Sequence, residues 1–302
     1  MICSSLQGEF SLLSFTLQSL QKVFPPAENS LLQLRSALLA AARKELSPSL
    51  YATLFSPPLC SDPAALRRYQ RGAPPFAILP DRPAKMDASQ QISLTVSFWG
   101  EGIPYIGAFL QVLMAVGEGG HSPLGTFSVT GIRAVDASGG EISLELDPAR
   151  LAPPLIEVNW WLSTIPSAEE LRWEFLTPAR LLSVGRPLFS PSLSQLFPFV
   201  LRRVSSMLYY HCGVESVDDP GEWLALAARV KNGHKRWKWQ DWRQVEPQRQ
   251  RVGGIVGHLT LAGGDLDAIR GLLHLGALMN LGKGAAWGCG HYRLWRPGLH
   301  SE

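Results

Sequence analysis

The chain has 302 residues, ample for two compact domains of ordinary size. Hydrophobic residues at 46% and charged residues at 18% exclude a disordered chain and a membrane-embedded one. A net charge of only +3 excludes the overall basic balance that attracts polyanions unaided, so a nucleic-acid partner has to be sought in local clusters.

Cys3, Cys60, Cys212 and Cys289 lie far apart without a C-x-x-C pair, which argues against a zinc module and a disulfide framework. No metal or cofactor is expected. No basic segment precedes the first apolar run, and no run of about 20 apolar residues is evident. The expected location is the cytoplasm, with no membrane partner.

Residues 10–20 alternate apolar and polar and predict an opening strand, ended by Pro25-Pro26. Leu31, Leu34, Leu38, Ala41 and Ala42 then fall at helical spacing, with Asn29 or Ser30 as N-cap and a stop near Ser47-Pro48. This helix carries Arg35, Arg43 and Lys44, and the eight-residue spacing puts Arg35 and Arg43 close to one face. Residues 56–90, rich in Pro, Ala and Arg, read as a long connection in which Arg67, Arg68 and Arg71 form a solvated cluster. A strand is predicted over 92–98, a helix over 105–116, and strands over 126–134 and 141–146 joined by a turn at 136–140. That is a ferredoxin-like order, although a strand near residue 78 is hard to place.

Residues 153–170 read as an interdomain connection. A strand over 171–182, a helix over 193–212, strands near 227–230, 236–241 and 254–262, and a helix from 266 follow. The predicted architecture is α+β: two tandem ferredoxin-like (RRM-like) βαββαβ domains, at 1–155 and 156–302.

Two stretches carry candidate chemistry. Residues 231–251 hold seven basic residues, among them Lys235, Arg236, Lys238 and Arg243, against the acids Asp241 and Glu246. Trp237, Trp239 and Trp242 interleave with them. Cations can track phosphates while rings stack on unpaired bases, which suits RNA; the alternative is a strand with tryptophans packed inward and charges outward. The second stretch is Gly282-Lys283-Gly284-Ala285-Ala286-Trp287-Gly288-Cys289-Gly290-His291-Tyr292, between an apolar helix and a short strand. Glycines at 282, 284, 288 and 290 let backbone N–H groups converge on an anion such as a phosphodiester, and Lys283 adds a charge; a tight turn without ligand is the alternative. The spacing fits neither a Walker A loop nor a dinucleotide fingerprint.

The leucine-rich run 272–281 leading into GKGAAWGCGHY resembles the C-terminal signature of the CRISPR-associated repeat-RNA endoribonucleases, the Cas6 family of the RAMP superfamily. Residues 175–181 (FLTPARL), the paired arginines Arg202 and Arg203, the Trp-rich segment and Gly253-Gly254-Ile255-Val256-Gly257 are similar to further family motifs in the same order. The resemblance covers most of residues 169–295 and is weaker before them. It implies metal-independent cleavage of a CRISPR repeat transcript, in which a ribose 2′-hydroxyl attacks its own phosphate and leaves a cyclic phosphate. Many members carry a catalytic histidine on the first helix. None occurs here before His121, and Arg43 and Lys44 occupy the corresponding stretch.

The resemblance thus implies Arg43, Lys44 and His291 as catalytic candidates. Arg35, Arg202, Arg203, Lys235, Arg236, Lys238, Arg243, Gly282, Lys283, Gly284, Gly288 and Gly290 are the RNA-binding set. Expected partners are a CRISPR repeat RNA hairpin and other CRISPR effector subunits. A noncatalytic repeat-binding subunit is the alternative, and a glycine-loop enzyme for phosphorylated metabolites a third reading.

Overall fold

The computed structural model describes residues 6–21, 30–69, 71–80, 91–120, 122–136, 138–215, 219–245 and 250–297, with the side chains of 30–33 and 242–252 excepted. One compact unit takes Gly8–Glu157 and Tyr210–Cys212; the other takes Met1–Gln7, Val158–Tyr209 and Gly213–Glu302.

The first unit runs β1 (Glu9–Ser19), α1 (Ser30–Glu45), α2 (Pro48–Phe55), α3 (Pro63–Tyr69), β2 (Phe76–Leu79), β3 (Gln91–Trp99), α4 (Ile106–Glu118), β4 (Phe127–Val135), β5 (Glu141–Leu144) and β6 (Ile156–Glu157). β1 is the central strand; from Ser11 its buried positions alternate, with Leu13, Phe15 and Leu17 on one face, while Phe10 is buried on the other. Its sheet is ordered β2-β3-β1-β4-β5, with β6 pairing the start of β1. The antiparallel order with the first and third strands central is ferredoxin-like.

Phe109 of α4 anchors the core: its ring centroid lies 5.1 Å from Phe76, 5.2 Å from Phe98, 5.9 Å from Phe15 and 6.1 Å from Phe55. Burying each such ring stabilises by roughly 1.5–3 kcal/mol. The helical stretch Gly100–Glu118 is long and apolar enough to cross a membrane by length and composition, contrary to the sequence reading, but its buried face packs in this core.

Three features of this unit differ from expectation. The strand missing near residue 78 is β2, whose four residues are all buried and therefore show no alternation; Pro75 and Pro80 bound it at a sheet edge. The supposed long connection over 56–90 contains α3 as well as β2. A separate helix, α2, begins after Ser47, whose hydroxyl accepts the amide of Leu50.

The second unit runs α5 (Val158–Thr164), β7 (Glu170–Ala179), β8 (Leu182–Ser183), β9 (Arg186–Pro187), α6 (Leu193–Cys212), α7 (Pro220–Arg229), β10 (Lys231–Val245), β11 (Gln250–Ala262), α8 (Leu266–Met279) and β12 (Tyr292–Trp295). The strand expected at 227–230 is instead the last turn of α7, started by Asp219 at its N-cap and Pro220, with Trp223, Leu226 and Ala227 buried at helical spacing. The sheet order β10-β11-β7-β12 repeats the ferredoxin-like arrangement.

Trp173, Phe175 and Tyr292 form its core, with the Trp173 and Tyr292 rings 4.6 Å apart. The Tyr292 hydroxyl donates to the Leu273 carbonyl at 2.6 Å, and a Cβ on Gly276 would lie 2.4 Å from that oxygen, so glycine is required there. Pairing of β11 with β7 ends at Ile255↔Ala179, while β10 and β11 remain paired from Asp241↔Gly253 to Val245↔Gln250. The hairpin therefore outruns the sheet.

Candidate nucleic-acid interface

The glycine loop has a well-defined internal structure. Gly282, Gly284, Gly288 and Gly290 have φ of +86°, +87°, +91° and +66°, a region costly for residues with a Cβ. A Cβ on Gly290 would meet the Leu281 carbonyl at 1.9 Å, and one on Gly282 the Arg180 carbonyl at 2.5 Å. The amide of Lys283 donates to Arg180, Ala285 to Gly282, Trp287 to Gly284, Gly288 to Ala285, Cys289 to Gly284, and Gly290 to Pro178. Of the four glycines expected to form an amide cradle, Gly288 and Gly290 spend their N–H groups inside the protein and are buried, whereas Gly282 and Gly284 are partly exposed. The glycines serve the path of the chain, and Lys283 is left exposed on its surface.

A polar knot fixes that path. Asn280, fully buried at φ +59°, donates from Nδ2 to the Ala285 carbonyl (2.8 Å), and its Oδ1 pairs with His291 Nδ1 (2.9 Å). Thr177 Oγ1 donates to the Gly288 carbonyl (2.6 Å) and accepts the His291 amide (2.8 Å). Burial pushes the His291 imidazole down to about 4, partly offset by its hydrogen bond with the Ala277 backbone. His291 is therefore neutral at pH 7 and tied to Asn280. That contact ties the ring into the loop's own hydrogen-bond network.

The paired arginines separate. Arg202 is exposed, with its guanidinium 5.6 Å from the Phe199 ring. Arg203 turns inward, and its Nε donates to the Met279 carbonyl at the C-terminal end of α8, where a cation is favoured. Its Nη2 is buried without a protein partner, and burial lowers its pKa to about 10. Arg203 therefore supports the end of α8.

On β10, Lys235, Arg236 and Lys238 are exposed as expected. Arg243 lies outside the residues whose side chains are described. Trp237 faces inward, 5.9 Å from Phe175, and its Nε1 donates to the Pro191 carbonyl (3.0 Å). Trp239 is partly exposed.

Sequence reading missed the polar face of the second sheet. Arg236, His258, Glu174 and Arg293 stand in one row across all four strands. Arg293 grips the buried Glu174 through Nε (3.1 Å) and Nη2 (2.9 Å); Arg172 Nη2 lies 2.8 Å from His258 Nδ1, and His234 Nδ1 3.2 Å from His258 Nε2. Burial, with Arg172 nearby, holds His258 below its ordinary pKa. Arg172 Nε and Trp295 Nε1 are buried without protein partners. The available signal is period-two placement of Arg172, Glu174, Arg293 and Trp295, opposite apolar Trp173 and Tyr292.

In the first unit, Arg35, Arg43 and Lys44 are exposed on α1. The Arg43 guanidinium sits 5.5 Å from the Tyr51 ring, and Lys44 lies 3.8 Å from Glu45. Among the described residues, no three His, Cys, Asp or Glu side chains converge as metal ligands.

No curated protein matches the sequence. A Cas6 product complex aligns with TM-score 0.59 and 17% identity, over 95% of this chain and 100% of that one. Thermus thermophilus Cas6 aligns with TM-score 0.56 and 16% identity, over 96% and 99%. A partial Cas6-RT-Cas1-Cas2 complex gives 0.61 and 13%, over 100% of this chain and 48% of that one. These likenesses describe the double ferredoxin-like fold. Residues 173–292, from the core strand β7 through the glycine loop to Tyr292, match the family described as CRISPR-associated endoribonuclease Cas6.

Proposed function

We propose that the protein cleaves CRISPR precursor transcripts within the repeat, in the cytoplasm and without a metal ion. The observation that carries this reading is the match of residues 173–292 to an endoribonuclease family. The cation string of β10 supports it, because phosphate contacts from Lys and Arg supply most of the affinity of an RNA-binding surface. Lys235, Arg236 and Lys238 together with Arg202 and Lys283 hold the repeat hairpin, and Arg35 and Arg243 extend the contact. Solved relatives include Cas6 product and substrate-mimic complexes and a Cas6-RT-Cas1-Cas2 assembly, so repeat RNA and other CRISPR subunits are the partners in this reading.

In the chemical step the ribose 2′-oxygen bonds to the adjacent phosphorus as the bond to the 5′-oxygen breaks. The 2′ proton leaves to water, the 5′-oxygen gains a proton, and the products are a 2′,3′-cyclic phosphate and a 5′-hydroxyl end. With no histidine on α1, Arg43 stabilises charge on the phosphorane and Lys44 protonates the departing oxygen. In-line positioning and charge supply most of the acceleration. His291 acts through the loop it holds.

The test is incubation of purified protein with a repeat hairpin in EDTA. Cleavage to a cyclic phosphate is expected, with Arg43→Ala slowing it at least tenfold at saturating RNA while binding persists. Cleavage only with added metal overturns the mechanism. A second reading, a repeat-binding subunit that does not cut, is favoured by the histidine-free α1. Tight binding without product, unchanged by Arg43→Ala, would establish it.

A further inference from the structure

Among the described residues, three of the five exposed large apolar side chains of the second unit, Leu182, Val184 and Phe189, fall within residues 182–189. Single exposed apolar side chains need no explanation; a group on one anchored segment does. β8 and β9 form a tight hairpin in which Val184 is completely exposed at φ +48°, a conformation unfavourable for a β-branched residue. Phe189 follows and is 60% exposed, yet it is fixed from both sides. The Leu188 amide donates to the Leu181 carbonyl, while the carbonyls of Ser190 and Pro191 accept from Lys235 Nζ (3.2 Å) and Trp237 Nε1 (3.0 Å).

The Phe189 ring lies 4.9 Å from the Trp239 ring at an angle of 47°. Trp239 is itself pinned, because its Nε1 donates to Asp241 at 2.8 Å. A Cβ on Gly253, paired with Asp241 across the ladder, would lie 2.6 Å from that nitrogen, so the bare glycine makes room for the indole. The result is a rigid aromatic pair backed on one side and open on the other. Lys235 is held at the Ser190 carbonyl next to Phe189 in the chain, and exposed Arg186 on β9 precedes Phe189 by three residues, with Asp241 as the local acid.

We propose that Phe189, backed by Trp239, is the stacking platform for one unpaired base of the bound RNA, with Lys235 and Arg186 on the adjoining phosphates. An exposed ring on a segment held by a lysine suits a splayed base, since bases within a duplex have both faces covered by their neighbours. The inference rests on the RNA-binding reading above and adds the chemical class this patch takes, a single-stranded nucleotide.

The test is a titration of the full chain against a 5′-labelled CRISPR repeat RNA with its single-stranded flanks, repeated with abasic substitutions at successive unpaired positions. Phe189→Ala and Phe189→Leu are each expected to weaken binding about tenfold, and Phe189→Trp to retain it. The salt dependence stays unchanged because no charge is removed. One abasic position reproduces the loss in the wild type and adds nothing in Phe189→Ala. Unchanged thermal unfolding of the variants shows that the exposed site was altered alone. Wild-type affinity in Phe189→Ala overturns the platform while leaving RNA binding intact. Full affinity in Phe189→Leu also overturns it and points to a protein-docking patch, as does an abasic scan without a sensitive position. A wild-type chain that binds no repeat RNA removes both readings.

Discussion

The two units share one strand order and spend it differently. In the first, a cluster of five phenylalanines holds the α4 helix to an apolar sheet face. In the second, the same topology is elaborated by a long hairpin, a four-glycine loop tied by a polar knot, and a sheet face bearing Arg172, Glu174, His258 and Arg293. The difference teaches that the βαββαβ frame supplies placement, while loops and the face away from the core supply chemistry.

Phe109→Ala breaks the comparison on the side of the first unit and carries the largest expected effect. It opens a cavity among four other rings and costs about 3–5 kcal/mol, read as a lowered midpoint in urea unfolding. On the other side, Gly290→Ala forces a Cβ against the Leu281 carbonyl at positive φ and costs about 2–3 kcal/mol. The first unit supplies its control. Gly139→Ala, at φ +83° with nothing within 4 Å of the added carbon, carries only the conformational cost of about 1 kcal/mol. Equal losses in thermal unfolding of the two variants would erase the distinction between a crowded knot and an open turn.

Acid sharpens the contrast further, with a smaller effect. Among the described residues the histidines held below their ordinary pKa are His258, His274 and His291, all in the second unit; His274 and His291 fall to about 4, chiefly through burial. A depressed histidine is neutral in both states above pH 6.5. As pH falls from 6.5 towards 4 the unfolded chain takes up the proton first, so stability is lost at up to about 1.4 kcal/mol per pH unit for each. Thermal unfolding between pH 7 and pH 5 should therefore fall in the wild type and less steeply in His274→Gln.

How far the sequence reveals this depends on which surface an element shows. β1 and α8 announce themselves because one face is wet and one dry, giving clean periods of two and 3.6. β2 is dry on both faces and leaves no period, and the last turn of α7 mimics a short strand. The glycine loop is legible as a loop, but composition cannot tell whether its amides serve a ligand or the chain itself. Likewise Trp237 and Trp239 share a face in the pattern, and only the chain ending of β7 at Ala179 leaves one under the core and the other beside Phe189.

β10 is the outermost strand of its sheet, with no neighbouring strand on one side among the described residues. Such an edge invites a second chain to add itself, and lysines are a common deterrent. Lys231, Lys235, Arg236 and Lys238, all exposed on β10, place that kind of charge along this edge. Replacing them with neutral residues would remove that deterrent from the open side of the strand.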